Sequence, residues 1–406
     1  MRVFLTKRSR SCLHLVQCFV VMLVTVTSVV GVALTQQQAS STSQGVSVEA
    51  QSKESAMLSH PIQLTGSDRF IKAGEAYFSP HNNSIIFQAI EHPKEGQEAS
   101  PHYAMYVGTL QQDEAGHYTG LTNIRQLSAD GSANTCGWFD PNDPDRIYFA
   151  TTRVPPGQQD APGYQRDRGR YRWQFPVEMN IVRCDLDNTS DGPPKLETII
   201  ENPDAYVAEG ALSPSGRYMV FCSLESGAGD LYIKDLVTDR ITRVVHSDGY
   251  DGGPFFSPDG KRICYRSDRR GDNHLQLFVA DLAFNDQGEV VGIEREHQVT
   301  NNAFVNWAPY WHPDGRHLVY ATSAVGHHNY EVFLIDADSG EESGSRGTLR
   351  YGTNPRRVTD AEGFDGLPVF SPDGQHLMWT SQRGDDGSSQ VWIAEFSGDL
   401  DAIGSP

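Results

Sequence analysis

The sequence predicts an all-β protein made of similar units, and three observations lead to this prediction. A ten-residue motif of the form Asp/Asn-x-x-Pro-x-aromatic-x-Pro-Asp-Gly begins at Asp251, Asn306 and Asp365. The chain contains 38 glycines and 22 prolines, which indicates frequent turns. Hydrophobic residues make up 38% and aromatic residues 10%, which is sufficient for a packed core. Repetition and frequent turns together favour many short strands over long helices.

The repeated unit occurs six times between residues 61 and 398. Each unit combines a short strand, a strand that leads into a Ser-Pro turn, an apolar strand, and a strand with an apolar-aromatic-apolar pattern. Asp-Gly and Ser-Gly pairs are typical of hairpins, and proline fits where a strand has ended. The Ser-Pro position, with proline always second, begins at Ser79, Asp140, Ser213, Ser257, His312 and Ser371.

One four-stranded sheet cannot bury both of its faces alone, whereas radially stacked sheets can. The sequence therefore predicts a six-bladed β-propeller of four-stranded antiparallel blades. Ten residues follow Phe396, and they lack strand character, so the last blade has three strands of its own. We expect the N-terminal segment from Ile62 to Thr65 to complete that blade as its outer strand and to remove the open edge.

The N-terminus has the pattern of an export signal. Four basic residues precede an uncharged run from Leu13 to Leu34, and small residues at 31–33 offer a cleavage site. The run could nearly span a bilayer, so a retained anchor is the alternative to cleavage and the one expected contact with a membrane. We expect a signal peptide at 1–33, a flexible tether at 34–60 and the propeller at 61–398. The predicted location is periplasmic or secreted.

Charge and composition limit the possible partners and cofactors. The formal net charge is -19, and loss of the first 33 residues with their four basic side chains would leave -23 (-19 - 4). Such an acidic chain argues against nucleic acid as a partner. The six cysteines show no CxxC spacing and the histidines no ligand spacing, so no metal and no other cofactor is predicted. We expect a monomer.

Three features of the units resemble a known family. These are the Asp-x-x-Pro-x-Phe-Ser-Pro-Asp-Gly pattern, the Ser-Asp-Arg-Arg-Gly sequence at 267–271 and the Leu-Phe-Val-Ala-Asp-Leu strand at 277–282. They resemble the propeller repeats of TolB and, more loosely, WD40-like (PD40) propellers. The resemblance implies a six-bladed propeller that binds a partner in the cell envelope, which in TolB is a peptidoglycan-associated lipoprotein. TolB carries an α/β domain before its propeller, and here only the tether is expected before Ile62.

Candidate binding residues come first from the repeats. Asp251, Asn306 and Asp365 each lie six residues before the Ser-Pro position, where the chain enters the innermost strand near the channel. Their side chains are candidates for holding a cation or a polar ligand at one channel mouth, and the alternative is a local turn that each blade needs. Trp307 stands where two other copies have Gly252 and Gly366, so it is a candidate to project into the mouth.

A second candidate surface is the insertion at 153–178, which carries Tyr171, Arg172 and Trp173. Aromatic residues and arginine are the types that anchor interfaces, and the alternative is a solvated loop. The sequence contains no Gly-x-Ser-x-Gly or His-Glu-x-x-His signature, so no catalytic residue is predicted. We therefore expect a non-enzymatic scaffold that binds an envelope protein or a peptidoglycan-associated partner. The alternative is a carbohydrate-active lyase or hydrolase that acts at the channel mouth.

Overall fold

The computed structural model describes residues 56–157, 163–167, 170–186, 194–338 and 351–401. For the strands at 163–167 and 170–174 it describes the backbone only. The predicted signal peptide at 1–33, and the predicted tether as far as residue 55, lie outside these ranges. Within them, the structure contains no helix with the length and apolar character needed to cross a bilayer.

The regular elements of the described residues are β-strands. In chain order they are β1 (Leu58–Gln63), β2 (Phe70–Phe78), β3 (Ser84–Glu91), β4 (Ala104–Gln112), β5 (Tyr118–Gln126), β6 (Asn134–Asp140), β7 (Asp143–Thr151), β8 (Gly163–Asp167), β9 (Arg170–Gln174), β10 (Asn180–Asp185), β11 (Glu197–Ile200), β12 (Val207–Leu212), β13 (Tyr218–Ser223), β14 (Asp230–Asp235), β15 (Ile241–Val245), β16 (Asp251–Phe256), β17 (Arg262–Ser267), β18 (Gln276–Phe284), β19 (Val290–Gln298), β20 (Asn306–Trp311), β21 (His317–Thr322), β22 (Glu331–Asp336), β23 (Thr353–Arg357), β24 (Asp365–Phe370), β25 (His376–Ser381) and β26 (Gln390–Phe396).

These strands form six antiparallel four-stranded sheets, which are the blades of a propeller. From inner to outer strand, blade 1 is β2-β3-β4-β5, blade 2 is β6-β7-β10-β11, blade 3 is β12-β13-β14-β15, blade 4 is β16-β17-β18-β19, blade 5 is β20-β21-β22-β23 and blade 6 is β24-β25-β26-β1. The first strands of the blades contact one another in cyclic order and surround the central channel. A separate hairpin, β8-β9, is inserted between β7 and β10. The predicted fold is confirmed.

The ring is closed by the N-terminal strand, as predicted. Strand β1 pairs antiparallel with β26, with Leu58 opposite Phe396 and Ile62 opposite Ile393. The strand begins at Leu58, earlier than the predicted segment, and Leu58 is buried in the core that blades 5 and 6 share. Beyond β1, the Thr65 hydroxyl donates to Gln390 at 2.8 Å and extends the attachment. The outer edge of β26 is therefore covered rather than left open to other chains.

The Ser-Pro-Asp-Gly motif recurs because it closes the turn between the first two strands of a blade. The buried Ser371 hydroxyl donates to Asp373 Oδ1 at 2.6 Å and accepts the backbone N–H of His376 at 3.0 Å. Asp373 Oδ1 also accepts the N–H of Gln375, at 3.0 Å. Gly374 occupies the left-handed region with φ of 73°, which glycine adopts at little cost. The turn at Ser257 repeats these bonds.

The outer hairpin of blade 4 is unusually long. Strands β18 and β19 each span nine residues and pair along their length. Leu282 and Val290 are buried along this hairpin, and their burial stabilises the extended pairing of the two strands. At the tip, Asn285 Oδ1 accepts the backbone N–H groups of Gln287 and Glu289 at 3.0 and 2.9 Å. Asparagine side chains that bond their own backbone stabilise such turns.

We predict that Ser371→Ala lowers the free energy of unfolding by about 1–2 kcal/mol, because a buried backbone N–H loses its acceptor. Denaturant unfolding followed by tryptophan fluorescence measures this change. The control is Ser226→Ala, which removes an exposed hydroxyl and should change stability by less than about 0.5 kcal/mol. Equal effects of the two substitutions would contradict this role for the Ser-Pro turn.

Candidate binding site in the central channel

Every inner strand contains a β-bulge at the same place in the unit. Four residues before the Ser-Pro position, the backbone enters the left-handed region with φ between 45° and 58°, and the pairing register shifts. Bulges of this kind re-aim a side chain, and a left-handed non-glycine residue costs on the order of 1 kcal/mol or more. The six bulge residues are Glu75, Cys136, Glu209, Gly253, Ala308 and Leu367.

Aromatic side chains close the channel two residues further along the inner strands. The rings of Tyr77 and Phe255 lie 5.8 Å apart, and Trp138 lies 5.2 Å from Tyr77 and 5.7 Å from Phe255. Tyr310 packs on Phe255 at 5.2 Å. Tyr77 and Phe255 come from blades 1 and 4, which face each other across a six-bladed ring, so their contact crosses the channel axis. These four side chains form the aromatic plug.

A cavity of about 470 Å³ lies on the plug and extends toward the N-terminal ends of the inner strands. Its polar wall comes from blades 1 to 4, and its apolar wall comes largely from blade 5 and from the connections beside it. The polar wall contains Glu75, Gln88, Asn134, Thr135, Cys136, Glu209 and Arg266. The apolar wall contains Leu275, Val305, Trp307, Tyr330 and Leu367, and Tyr103, Phe175, Met179 and Tyr206 complete the rim.

Glu209 is the centre of a buried hydrogen-bond network in this cavity. Its carboxylate accepts hydrogen bonds from the Tyr250 hydroxyl and the Gly253 backbone N–H. It also accepts from Arg266 Nη2 at 3.3 Å and from the Tyr206 hydroxyl at 3.5 Å. The side chain is only 6% exposed. The four donors therefore replace the hydrogen bonds to water that the carboxylate loses on burial. Glu209 and Arg266 form an ion pair that is fixed in the cavity wall.

Glu75 has a different environment. Its carboxyl oxygens accept hydrogen bonds from the Cys136 thiol at 2.9 Å, the Thr135 hydroxyl at 3.0 Å and the Tyr77 hydroxyl at 3.3 Å. Burial raises the pKa of Glu75 above its ordinary value of 4.5, against the bonds from Cys136 and Thr135, which lower it. Burial, followed by the charge of Glu75, raises the pKa of the Cys136 thiol well above its ordinary value. Cys136 is therefore a protonated donor rather than a thiolate nucleophile at neutral pH.

Two polar atoms in the cavity wall are left without a partner. Within the described part of the chain, neither Gln88 Oε1 nor Arg266 Nε makes a hydrogen bond, although both atoms are buried from bulk solvent. Buried polar atoms are normally satisfied, and the exceptions often face a ligand or ordered water. One is an acceptor and the other a donor.

The two aspartates predicted from the repeats form ion pairs within their own blades. Asp251 Oδ1 accepts from Arg269 Nη2 at 2.9 Å, and Asp365 Oδ2 accepts from Arg383 Nη2 at 2.9 Å. Both carboxylates are buried, and Trp379 Nε1 donates to Asp365 at 3.0 Å. Each arginine follows its aspartate by eighteen residues, and this explains the Ser-x-Arg sequence that both copies share at 267–269 and 381–383. Neither aspartate lines the cavity.

Asn306 is likewise buried and bonded within its surroundings. Its side-chain Nδ2 donates to Asn302 Oδ1 at 2.9 Å and to Phe304 O at 3.2 Å, while its Oδ1 accepts from Thr322 at 2.9 Å. These bonds hold the connection into blade 5. None of Asp251, Asn306 and Asp365 lines the cavity.

Trp307 does line the cavity, and its neighbours explain why it replaces glycine. A Cβ atom at Gly252 would lie 2.2 Å from the Tyr250 hydroxyl oxygen, and one at Gly366 would lie 2.5 Å from the Phe364 ring. In blades 4 and 6 an aromatic side chain two residues earlier thus covers the glycine. In blade 5 the ring comes from position 307 itself.

The insertion leaves blade 2 at the face of the cavity mouth. Thr151, the last residue of β7, pairs with Asn134 in the cavity wall, and the chain then runs into β8 and β9. The side chains of Tyr171, Arg172 and Trp173 lie outside the described residues. Phe175, directly after β9, stacks on Tyr206 with ring centroids 4.2 Å apart. The hairpin is therefore anchored to the cavity rim.

Sequence reasoning missed Glu75, Cys136 and Glu209. Their common signal is a polar residue four positions before the Ser-Pro position, where the other three copies have Gly253, Ala308 and Leu367. Alternation along an ideal strand could not assign them to the channel, because the bulge changes the direction of the side chain.

The fold and this cavity define the class of the protein as a six-bladed β-propeller whose channel is closed by the aromatic plug, with a cavity on one side of the plug. No protein-family model matches the chain. An uncharacterized protein of Agrobacterium fabrum is 26% identical over 226 residues, which are 53% of this chain and 68% of that protein. The Tol-Pal system protein TolB of Francisella tularensis subsp. holarctica is 28% identical over 85 residues, 21% of this chain.

The matched region spans 20% of the length of the Francisella protein. Among solved structures, TolB from Acinetobacter baumannii aligns with 17% identity and a TM-score of 0.49. The alignment covers 78% of this chain and 64% of that protein. The relatives by sequence and the six blades confirm the resemblance to TolB that the motifs predicted.

We predict that Gly253→Ala destabilises the protein more than Gly271→Ala does. Both glycines have left-handed backbones, with φ of 58° and 70°, so each substitution has a backbone cost of about 1 kcal/mol. A Cβ atom at 253 would lie 2.0 Å from Arg266 Nη1, whereas one at 271 has nothing within 4 Å. Displacing Arg266 would leave the buried Glu209 carboxylate without its ion-pair partner, which costs a further 3–5 kcal/mol or so. If the two substitutions lower the free energy of unfolding equally in denaturant, a stabilising role for the Arg266–Glu209 ion pair is contradicted.

We predict a pH dependence that arises from Glu75. The folded protein holds the Glu75 proton to higher pH than the unfolded chain, so stability from this group falls as pH rises above 4.5. The free energy of unfolding of the wild type, minus that of Glu75→Gln, should therefore decrease between pH 4.5 and 8, by up to about 1.4 kcal/mol per pH unit. Glu98→Gln, at an exposed site, is the control. A difference that does not change with pH would refute the assignment.

Proposed function

We propose that the protein is an exported, non-enzymatic propeller scaffold that binds a protein or a cell-wall-associated partner in the cell envelope. The similarity to proteins named TolB of the Tol-Pal system supports this proposal. The basic residues and uncharged run at the N-terminus support export to the periplasm or beyond. The residues that carry binding are those of the cavity mouth and the hairpin beside it.

The observation that carries the proposal is the cavity on the plug, with one polar and one apolar wall. A volume of about 470 Å³ lies in the range of small-ligand pockets and accommodates a few side chains of a partner. Trp307 lies 6.1 Å from Phe364 and 6.4 Å from Tyr330, ring to ring, so the apolar wall is an aromatic cluster. Buried aromatic clusters of this type are typical binding hot spots.

The polar wall orients the ligand that the apolar wall binds. Arg266 is fixed by Glu209 and leaves its Nε–H directed at no described acceptor, and Gln88 Oε1 is an acceptor in the same cavity. An extended peptide segment lays its polar backbone along the polar wall and inserts an apolar side chain against Trp307. The walls stand on strands, so recognition needs little rearrangement of the scaffold.

A specific observation also supports the second candidate, a carbohydrate-active lyase or hydrolase. Glu75 carries a raised pKa, and Glu209 lies in the same cavity. Pairs of carboxyl groups with different environments perform acid and base steps on sugars. The four donors around Glu209 leave it fewer free lone pairs for such a role, so this candidate ranks second.

The test is affinity capture from envelope extract with the purified chain, followed by a dissociation constant for the recovered partner. Trp307→Ala should weaken binding by about 2 kcal/mol, roughly thirtyfold, because a central aromatic anchor is lost. Phe284→Ala removes an exposed aromatic ring from the outer hairpin of blade 4 and should leave binding unchanged. Tyr171→Ala with Trp173→Ala measures the contribution of the hairpin.

Equal binding by the wild type and Trp307→Ala would remove the cavity from the proposal. The same preparation is incubated with a panel of oligosaccharides. Turnover that is lost in both Glu75→Gln and Glu209→Gln, and kept in Phe284→Ala, would overturn the scaffold proposal. It would establish the carbohydrate-active enzyme in its place.

A further inference from the structure

Away from the channel, three potential metal ligands meet where the ring closes. His60 lies on β1, His117 immediately precedes β5 in blade 1, and Glu395 lies on β26. The His60 Nδ1 atom is 3.0 Å from Glu395 Oε2, and His117 Nδ1 contacts Glu395 Oε1. Among the described residues, they are the group of three His, Cys, Asp or Glu side chains whose ligand atoms lie within 4.8 Å of one another. We call this group the seam cluster.

The spacing of the seam cluster fits one metal ion. In a tetrahedral site with bonds of about 2.0–2.1 Å, neighbouring ligand atoms lie roughly 3.3 Å apart. All three ligand atoms lie within 4.8 Å of one another, so small side-chain rotations are sufficient to place one ion among the three. His60 has a left-handed backbone with φ of 51°, at the bulge that interrupts the pairing of β1 with β26. Histidine tolerates this region better than most residues, and the bulge places its ring beside Glu395.

The seam cluster holds two imidazoles against one carboxylate. One protonated histidine is sufficient to neutralise Glu395, and the two rings have centroids only 4.5 Å apart. Two imidazolium ions at that distance repel each other. A divalent cation bound by two neutral rings removes this repulsion and uses both Nδ1 atoms and the carboxylate at once. The Ser59 hydroxyl, which donates to Glu395 Oε2 at 3.1 Å, supports the carboxylate from outside.

The donor set selects the class of metal. Two imidazole nitrogens and one carboxylate oxygen suit zinc and similar transition metals, whereas calcium and magnesium prefer oxygen ligands throughout. The side chains of His60, His117 and Glu395 are 59%, 40% and 30% exposed, so an ion can enter and water can occupy the fourth position. We propose that the seam cluster is a zinc-class metal site.

Such a site would join blades that the backbone hydrogen bonds of β1 do not join. Strand β1 is hydrogen-bonded to β26 in blade 6, while His117 belongs to the β4–β5 hairpin of blade 1. A metal held by His60, Glu395 and His117 links the closing strand to both blades that flank the seam. Because the three residues are distant in sequence, no local ligand spacing reveals the site. This inference is independent of the channel and of the function proposed for it.

The test uses the full, tag-free chain after removal of metals with a chelator, and zinc itself is the probe. Titration with a chromophoric zinc competitor measures stoichiometry and affinity, and amide hydrogen exchange measures opening of β1. We expect one zinc per chain and slower exchange of the β1 amides when zinc is present. His60→Asn with His117→Asn should weaken zinc binding by more than about a hundredfold, because even changes to outer-shell partners commonly cost 10–100-fold.

The matched control is His246→Asn with His328→Asn, which removes two exposed imidazoles elsewhere on the surface. It should bind zinc as the wild type does and show the same protection of β1. Glu395→Gln, which keeps the shape of the side chain, should weaken zinc binding as well. If the wild type binds no stoichiometric zinc, or if the His60/His117 variant binds it as tightly as the control, the proposal is refuted.

Discussion

A β-bulge in each inner strand holds one residue per blade in a left-handed backbone conformation, and the shape of the channel follows from it. The bulge residue faces the cavity in five of the six blades, and four of the residues two positions later meet as the plug. The conformation costs energy at Glu75 and Glu209, which are not glycines. That cost is offset by the surrounding sheet and by the hydrogen bonds that each carboxyl group accepts.

The repeated backbone carries an asymmetric set of side chains. At the bulge position, blades 1 to 3 have Glu75, Cys136 and Glu209, whereas blades 4 to 6 have Gly253, Ala308 and Leu367. Gly253 has no side chain because the Arg266 guanidinium occupies that space and reaches Glu209. The cavity consequently has one polar and one apolar side, although the fold around it is close to sixfold. Asymmetry of this kind can orient a ligand, which a uniform ring cannot do.

Regular and irregular positions of the repeat have different roles. The aspartates that recur with the motif, Asp251 and Asp365, form buried ion pairs with arginines eighteen residues later, and these pairs hold the inner strands of blades 4 and 6. The residues of the candidate site depart from the repeat: Trp307 replaces a glycine, and two glutamates occupy a bulge position. In this protein the motif therefore marks the scaffold, and departures from it mark the cavity.

The sequence by itself determined the class of fold, the number of blades, the Ser-Pro turns and the closing N-terminal strand. The strands and turns depend on alternation along a strand and on turn chemistry, which act over a few residues, and the blade number and the closing strand follow from counting the repeats. It also identified Trp307, because one copy differs from two others. The tertiary structure alone decided that Glu75, Cys136 and Glu209 face one cavity, since each bulge breaks the alternation that sequence reasoning relies on. It also decided that His60 and Glu395, 335 residues apart, share a site, because only closure of the ring brings the two ends of the chain together.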